Sequence, residues 1–318
     1  MTWLVTGGAG YIGGHVVAAL RAAGLPVVVL DDMTTGAPAR LPIDLPLIRT
    51  SVLDHDAVLA ALREHAVSGV IHLAARKAVG DSVERPLYYY RENVGGFEAL
   101  LRAMRTAGVG RMLLSSSAAV YGNPDAAQVT EDAPMLPVSP YGQTKAACEW
   151  MAAAAHQAYG IRYVALRYFN VVGAASRELA DTGAFNLVPL ALQAITAGRP
   201  PLVFGDDYPT RDGTCIRDYV DVRDVADAHV AAARLLDSGE CAEVYNVGRG
   251  EGSTVKEVLA AIDRAIGTEH PYQVVDRRPG DPTSYYATVD KIEKELGWKA
   301  RYGLDDMVAG AWVAWPRP

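Results

Sequence analysis

The segment Thr6-Gly7-Gly8-Ala9-Gly10-Tyr11-Ile12-Gly13 limits what this chain can fold into more than any other. Glycines spaced as Gly7-x-x-Gly10-x-x-Gly13 allow a tight turn, close approach of backbone N–H groups to a diphosphate, and close packing of a helix on a sheet. The flanks agree with this reading. An apolar strand, Trp3–Thr6, precedes the turn, and helix formers at His15–Ala23 follow it. The stop Gly24-Leu25-Pro26 then leads into a second apolar strand, Val27–Leu30, which ends at Asp31. An acid at that point suits ribose hydroxyls and repels a 2′-phosphate. No arginine directly follows Asp31-Asp32, so a dinucleotide here is NAD rather than NADP, and Asp32 reads as a solvated loop acid.

Further apolar runs of strand length recur at Val70–Leu73, Arg111–Ser115 and Val164–Tyr168, with helical segments between them. Continuously apolar strands point to a parallel sheet covered on both faces, which is an α/β, Rossmann-type doubly wound fold. After about Asn170 the composition changes. Proline, glycine and arginine crowd Leu187–Tyr219 and Pro271–Tyr286, whereas Val220–Leu236 and Val244–Val247 return to the earlier style. The expected division is an NAD-binding domain over 1–169, partly rejoined by 220–247. A smaller, discontinuous α/β substrate lobe from 170–219 and 248–318 closes over a cleft.

Composition excludes several classes. A chain of 318 residues, half of them hydrophobic, fills a full core. A net charge of −7 and no Lys/Arg block argue against a nucleic-acid partner but leave small anionic ligands open. Cys148, Cys215 and Cys241 read as reduced core thiols, and His15, His72 and His229 as packing residues; no cluster has metal spacing, so no metal is expected. The apolar stretch Met151–Ala155 is too short for a membrane span, and Met1 leads into a strand without a basic leader. A cytoplasmic protein with no membrane partner is expected.

The second signal is Ser115-Ser116-Ser117 followed downstream by Tyr141-Gly142-Gln143-Thr144-Lys145. Four residues apart on a helix, Tyr141 and Lys145 share a face, where an ammonium lowers a phenol's pKa. Bringing a phenol from ~10 to neutral pH takes roughly 4 kcal/mol. One cation at ~6 Å in an effective dielectric of ~20 supplies about 2.8 kcal/mol, so a second positive charge is wanted, and an oxidised nicotinamide is one. Taken alone, the pair also fits an ordinary amphipathic helix; the serines and the glycine turn favour a redox site.

With these residues in view, the chain resembles the extended short-chain dehydrogenase/reductases. Among them it is most similar to the nucleotide-sugar 4-epimerases acting on UDP-glucose and UDP-galactose. The segments that carry the resemblance span nearly the whole chain: Thr6–Gly13, Lys77–Val83, Ser115–Gly122, Ser139–Lys145, Arg167–Asn170, Phe204–Thr210, Arg217-Asp218-Tyr219 and Arg277–Asp281. Lys77–Val83 and Phe204–Tyr219 are the most particular. The resemblance implies that Tyr141 is the acid/base, that Lys145 holds the nicotinamide ribose and tunes Tyr141, and that Ser117 hydrogen-bonds the reacting sugar hydroxyl. For NAD it further implies Gly7, Gly10, Tyr11, Ile12, Gly13, Asp31, Ser51, Val52, Leu73, Ala74, Ala75, Asn93, Ser115 and Tyr168, with Lys77 at the phosphates and open to the substrate as well. For the UDP-sugar it implies Asn170, Asn186, Leu187, Phe204, Arg217, Arg278, Asp281 and Tyr285, the arginines meeting the diphosphate and Asp281 a ribose hydroxyl. It also implies a homodimer formed as a four-helix bundle by the helices around Glu92–Ala107 and Tyr141–Tyr159.

The implied reaction is C4 epimerisation through a transient 4-keto sugar, with NAD not consumed. Three positions depart from the family: Ser51 for an aspartate at the adenine, Gly14 for a serine, and Ala75 for a glycine. A related 4,6-dehydratase carries an aspartate and a glutamate directly after the residue matching Ser117. Here Ala118 and Ala119 stand there, so elimination lacks its proton carriers. Epimerisation or decarboxylation of another nucleotide sugar, such as a UDP-uronate or UDP-N-acetylhexosamine, and a non-catalytic NAD sensor stay open as alternatives. Tyr285 lies where a bulky residue confines the sugar pocket in the resembled enzymes, which implies the plain hexoses. Arg217 and Arg278 equally suit salt bridges to nearby acids.

Overall fold

The computed structural model describes residues 1–316 apart from 125, 184, 240 and 279. The chain divides into two compact units. One comprises Met1–Gly122, Pro134–Arg167 and Ala226–Tyr245; the other comprises Asn123–Ala133, Tyr168–Val225 and Asn246–Pro318.

The first unit is built on a seven-stranded sheet in the order Ala242–Val247, Arg162–Tyr168, Arg111–Ser117, Val67–His72, Thr2–Thr6, Val27–Asp31, Leu47–Arg49. Thr2–Thr6 pairs in parallel with Val27–Asp31 and Val67–His72, and the ladder runs on in parallel to Leu47–Arg49 and Arg111–Ser117. Its inner strands are buried along nearly all of their length because helices cover the sheet. Leu4, Val28 and Val70 pack with Phe97, Leu100 and Met104 of the helix Gly96–Ala107, and with Cys148 and Ala152 of the long helix Pro140–Tyr159.

Several boundaries differ from the sequence reading. The first helix starts at Tyr11 rather than His15, because Gly13 and Gly14 are helical and not part of the turn. The strand expected at Val70–Leu73 runs from Val67 to His72. Gly69 lies under the Trp3 ring, where a β-carbon would come within 2.5 Å of it. The strand from Arg111 extends to Ser117, so all three serines belong to the ladder.

The second unit carries a mixed sheet. Ile216–Asp221 pairs antiparallel with Gly252–Thr254 and parallel with both Asn170–Val172 and Ser284–Ala287; Gln128–Val129 extends the last of these. Leu202–Phe204 and Gln273–Val275 form a separate parallel pair. Val188, Leu192, Val258, Ile262, Met307 and Val308 make its apolar cluster, contributed by the helices Leu187–Thr196, Val255–Ile266 and Leu304–Ala314. Among the described residues no helix is long and apolar enough to cross a membrane.

Candidate active site

The glycine turn leaves Thr2–Thr6 with Gly7 at φ +72°, a conformation open to glycine at little strain. A β-carbon at Gly7 would lie 2.6 Å from the Ala74 nitrogen, and one at Gly13 only 2.1 Å from the Gly7 carbonyl oxygen. The turn thus abuts the loop Leu73–Lys77, and the helix begins at Gly10 with no side chain capping its N–H groups. That is an anion cradle. The Lys77 ammonium lies 5.7 Å from the centroid of the Tyr11 ring, beside the cradle. Asp31 closes the next strand. Its Oδ2 accepts from the Ala9 N–H at 3.0 Å and its Oδ1 from Met33 N–H at 2.8 Å, and burial pushes its carboxyl up. These features fit a dinucleotide: N–H groups and a lysine for the diphosphate, and a carboxylate for a ribose.

Other cofactor candidates divide by what their side chains do. Val52 belongs to the apolar core, which leaves its backbone as the available group. The Ser51 hydroxyl accepts from Leu53 N–H at 3.2 Å and so stabilises its own turn. Tyr168 is buried at the end of its strand. Asn93, in a π-helical turn over Tyr90–Gly95, is wholly engaged. It accepts from the Arg76 N–H at 2.8 Å and donates to the Arg76 carbonyl at 3.1 Å and to Thr144 Oγ1 at 3.0 Å. Thr144 Oγ1 in turn donates to the Tyr141 carbonyl at 2.7 Å. The loop Leu73–Lys77 is thereby tied to the helix that carries Tyr141. Asp32 is exposed in its loop, as the sequence suggested, and there it also accepts from Arg76 at 2.9 Å.

Ser117, Tyr141 and Lys145 do converge. Ser117 ends its strand and its Oγ accepts from Ala119 N–H at 3.2 Å. Ser139 caps the long helix by accepting from Gly142 N–H, and Pro140 occupies the first helical position, so the helix start is well specified and Tyr141 stands in its first turn. Lys145, one turn on, is buried and donates from Nζ to the Ser115 carbonyl at 2.7 Å. Burial pushes the Tyr141 phenol up, while its hydrogen bond with Ser117 pulls it down. Burial also lowers the Lys145 ammonium, against the opposing charges of Cys148 and Glu149. The sequence argument credited Lys145 with lowering the phenol; among the protein's own groups it is Ser117 that does so.

A network that the sequence did not announce lies one turn further along. Glu149 takes a fork from Arg167, Nε to Oε1 at 3.0 Å and Nη2 to Oε2 at 2.7 Å, with both side chains 5% exposed. Ser116 also donates to Glu149, and Arg167 Nη1 donates to the Tyr121 hydroxyl at 2.8 Å. A buried pair satisfied on every side in this way fixes the strand end bearing Ser117 relative to the helix bearing Tyr141.

In the second unit, the Asn170 side chain donates to the Asp218 carbonyl at 2.9 Å, and Asn186, which opens its helix just ahead of Leu187, donates to the Val171 carbonyl at 3.4 Å. Arg217 lies opposite Tyr285 in the sheet register. Its Nη2 reaches Asp281 Oδ1 at 3.3 Å. The Arg278 guanidinium covers the Phe204 ring at 3.7 Å. Tyr285 packs on Phe169 with ring centroids 5.1 Å apart. Pro279, within the Arg277–Asp281 segment, lies outside the described residues. Between Arg217 and Tyr219, Asp218 is fully buried and accepts from the N–H groups of Arg249, Gly250 and Ala287 at 2.8, 3.0 and 3.1 Å. The Arg-Asp-Tyr motif contained this hub; its three partners, far off in sequence, did not show.

The model of the NAD dependent epimerase/dehydratase family matches residues 3–248, and the chain belongs to that family. It is 43% identical to UDP-glucose 4-epimerase of Azospirillum brasilense over 99% of this chain and 91% of that protein. A crystal structure of UDP-glucose 4-epimerase from Stenotrophomonas maltophila, with bound NAD and formylated UDP-arabinopyranose, superposes with a TM-score of 0.93 at 39% identity, covering 98% of this chain and 97% of that one. The Bifidobacterium longum enzyme, in complex with NAD+ and UDP, gives a TM-score of 0.90 at 37% identity, with 99% and 98% covered.

Proposed function

We propose that the chain is an NAD-dependent isomerase that inverts C4 of a UDP-hexose, interconverting UDP-glucose and UDP-galactose through a transient 4-keto sugar. The observation that carries the reading is Ser117, Tyr141 and Lys145 meeting at one strand end beside a dinucleotide cradle. Bound NAD supplies a hydride acceptor and donor for C4 and, when oxidised, a positive charge beside the phenol. Tyr141 takes the C4 hydroxyl proton and later returns it. Ser117 steadies the Tyr141 phenolate by hydrogen bonding before the transfer and relays the C4 proton to it. Lys145, held by the Ser115 carbonyl, adds a fixed cation and binds a ribose. Gly7, Gly10, Gly13 and Lys77 hold the diphosphate of NAD, and Asp31 holds its adenosine ribose.

The UDP moiety is met by Asn170, Asn186, Leu187, Phe204, Arg217, Arg278 and Asp281. Guanidinium forks suit diphosphate oxygens. Tyr285, braced on Phe169, confines the sugar pocket, so N-acetylated hexoses are poor substrates. The NAD lobe is the first unit and the substrate lobe the second, so 123–133 and 168–169, which the sequence reading gave to the NAD lobe, go with the substrate lobe. The protein works in the cytoplasm, where its three free cysteines stay reduced. It is a homodimer joined through a four-helix bundle, a reading supported by Trp150 and Tyr159, both more than half exposed on the long helix.

The test is to denature the purified protein, assay released NAD(H), and follow C4 inversion of UDP-galactose by NMR without added cofactor. Inversion with bound NAD and no net NADH is expected. NADH accumulating in proportion to product would mean a dehydrogenase. Light scattering decides the dimer.

A further inference from the structure

Arg76 has no part in the reaction just described, yet its side chain joins several segments beside the dinucleotide cradle. Its Nη2 donates to Asp32 Oδ2 at 2.9 Å and to Thr34 Oγ1 at 3.3 Å, both in the loop after the second strand. The same nitrogen lies 3.4 Å from Glu92 Oε2, in the π-helical turn that carries Asn93. Its guanidinium lies 5.7 Å from the centroid of the Tyr88 ring. The backbone of Arg76 is held at both its N–H and its carbonyl by Asn93. Three segments meet on this one residue: the loop following Asp31, the loop Leu73–Lys77, and the turn Tyr90–Gly95.

We infer that Arg76 is a cofactor-positioning residue, a clasp that fastens the loop after Asp31 to the loop Leu73–Lys77 and slows the release of NAD. The physical argument is preorganisation. Both loops must be ordered to bind the adenosine half of a dinucleotide, and ordering them in advance removes that entropic cost from binding. An isolated exposed ion pair does little of this. Here the Arg76 side chain is only 18% exposed and faces two carboxylates and a hydroxyl, and Asn93 fixes the backbone from which it extends. Retention also suits a reaction that returns its hydride, since the cofactor has no need to leave between turnovers. The inference rests on NAD being the cofactor, but not on which sugar is epimerised.

The experiment uses the full-length protein with NAD bound. NAD remaining after gel filtration, and its rate of release into an excess of labelled NAD, are measured for the parent, Arg76→Leu, Arg76→Lys and Asp32→Asn, at low salt and at 1 M NaCl. Arg76→Leu is expected to release NAD about tenfold faster, the equivalent of ~1.4 kcal/mol. Arg76→Lys and Asp32→Asn should fall between it and the parent. High salt should speed release from the parent and leave Arg76→Leu nearly unmoved, because screening acts on the pairs that the variant lacks. Turnover lost by the variant on dilution should recover on adding NAD, which separates a clasp from misfolding. Equal release rates for parent and Arg76→Leu, an equal salt response, or a loss of turnover that NAD does not recover would each overturn the clasp. A parent protein that holds no NAD would overturn the cofactor reading along with it.

Discussion

The two sets of functional side chains are held by different means. Around the redox centre the partners include main-chain atoms: Lys145 is fixed by the Ser115 carbonyl, the Arg76 peptide by Asn93, and the Tyr141 carbonyl by Thr144. Around the nucleotide-sugar candidates Asn170 and Asn186 also donate to main-chain carbonyls, but the arginines add side-chain partners: Arg217, besides the Ile216 carbonyl at 2.8 Å, reaches Asp281 at 3.3 Å, and Arg278 lies on the face of Phe204. A group that takes a proton from one particular atom gains from an orientation locked by backbone. A guanidinium that meets a diphosphate gains from partners it can exchange when the ligand arrives. The contrast therefore lies in the arginines proposed for recognition, which carry exchangeable side-chain partners that Lys145 lacks.

The sharpest way to break this contrast is at Tyr141. Tyr141→Phe should lower turnover of UDP-galactose by about 10³-fold while the protein keeps its NAD; a variant that turned over normally would move the acid/base elsewhere. Next in size is Arg217→Ala, for which a loss of about 100-fold in kcat/KM is expected, mostly in KM, with partial recovery in Arg217→Lys. A loss confined to kcat would place Arg217 with the rigid group rather than the exchangeable one.

Stability against pH should separate the two units by sign. Burial and the neighbouring Lys145 charge hold His72 down to about 3, while its ring hydrogen-bonds Thr6 and lies against Phe97. The unfolded chain therefore takes up that proton first. The stability His72 confers above about pH 6.5 is lost as the pH falls, by about 2 kcal/mol at pH 5. Asp218, pushed up to about 6 by burial, acts in the opposite direction. Its contribution falls as the pH rises from about 4 through 6, by about 1 kcal/mol between pH 5 and 7. Urea unfolding at pH 5, 6 and 7 should show a flatter acid limb in His72→Gln and a flatter neutral limb in Asp218→Asn, whatever their absolute stabilities. Unchanged slopes would mean that neither group is held as described. The smallest effect is expected at Thr144: Thr144→Val cuts the link from Asn93 to Tyr141 and should lower kcat about tenfold, with Thr144→Ser restoring it. A valine variant with full activity would show that the backbone tie is dispensable.

Much of this was legible in the sequence, for identifiable reasons. Gly7, Gly13 and Asp31 belong to a turn whose sterics and charge are local, so spacing alone exposed them. Tyr141 and Lys145 are one helical turn apart, which is also local. What stayed hidden depends on distant partners: Glu149 with Arg167, Arg76 with Asp32 and Glu92, and Asp218 with Arg249 and Ala287. A single chain shows such residues as ordinary charges. The upward push of burial on Tyr141 was missed for a related reason, because burial is a property of the packed protein.

The strand order has a consequence for how the chain is made. Ala242–Val247 occupies the sheet edge beside Arg162–Tyr168, yet roughly seventy residues are synthesised between them, of which 169–225 belong to the other unit. At ~5–20 residues per second on the ribosome, Arg162–Tyr168 waits several seconds with one edge unpaired. Buried almost throughout in the finished protein, it is during that interval an apolar edge open to other nascent chains, and the yield of folded protein will depend on what shields it.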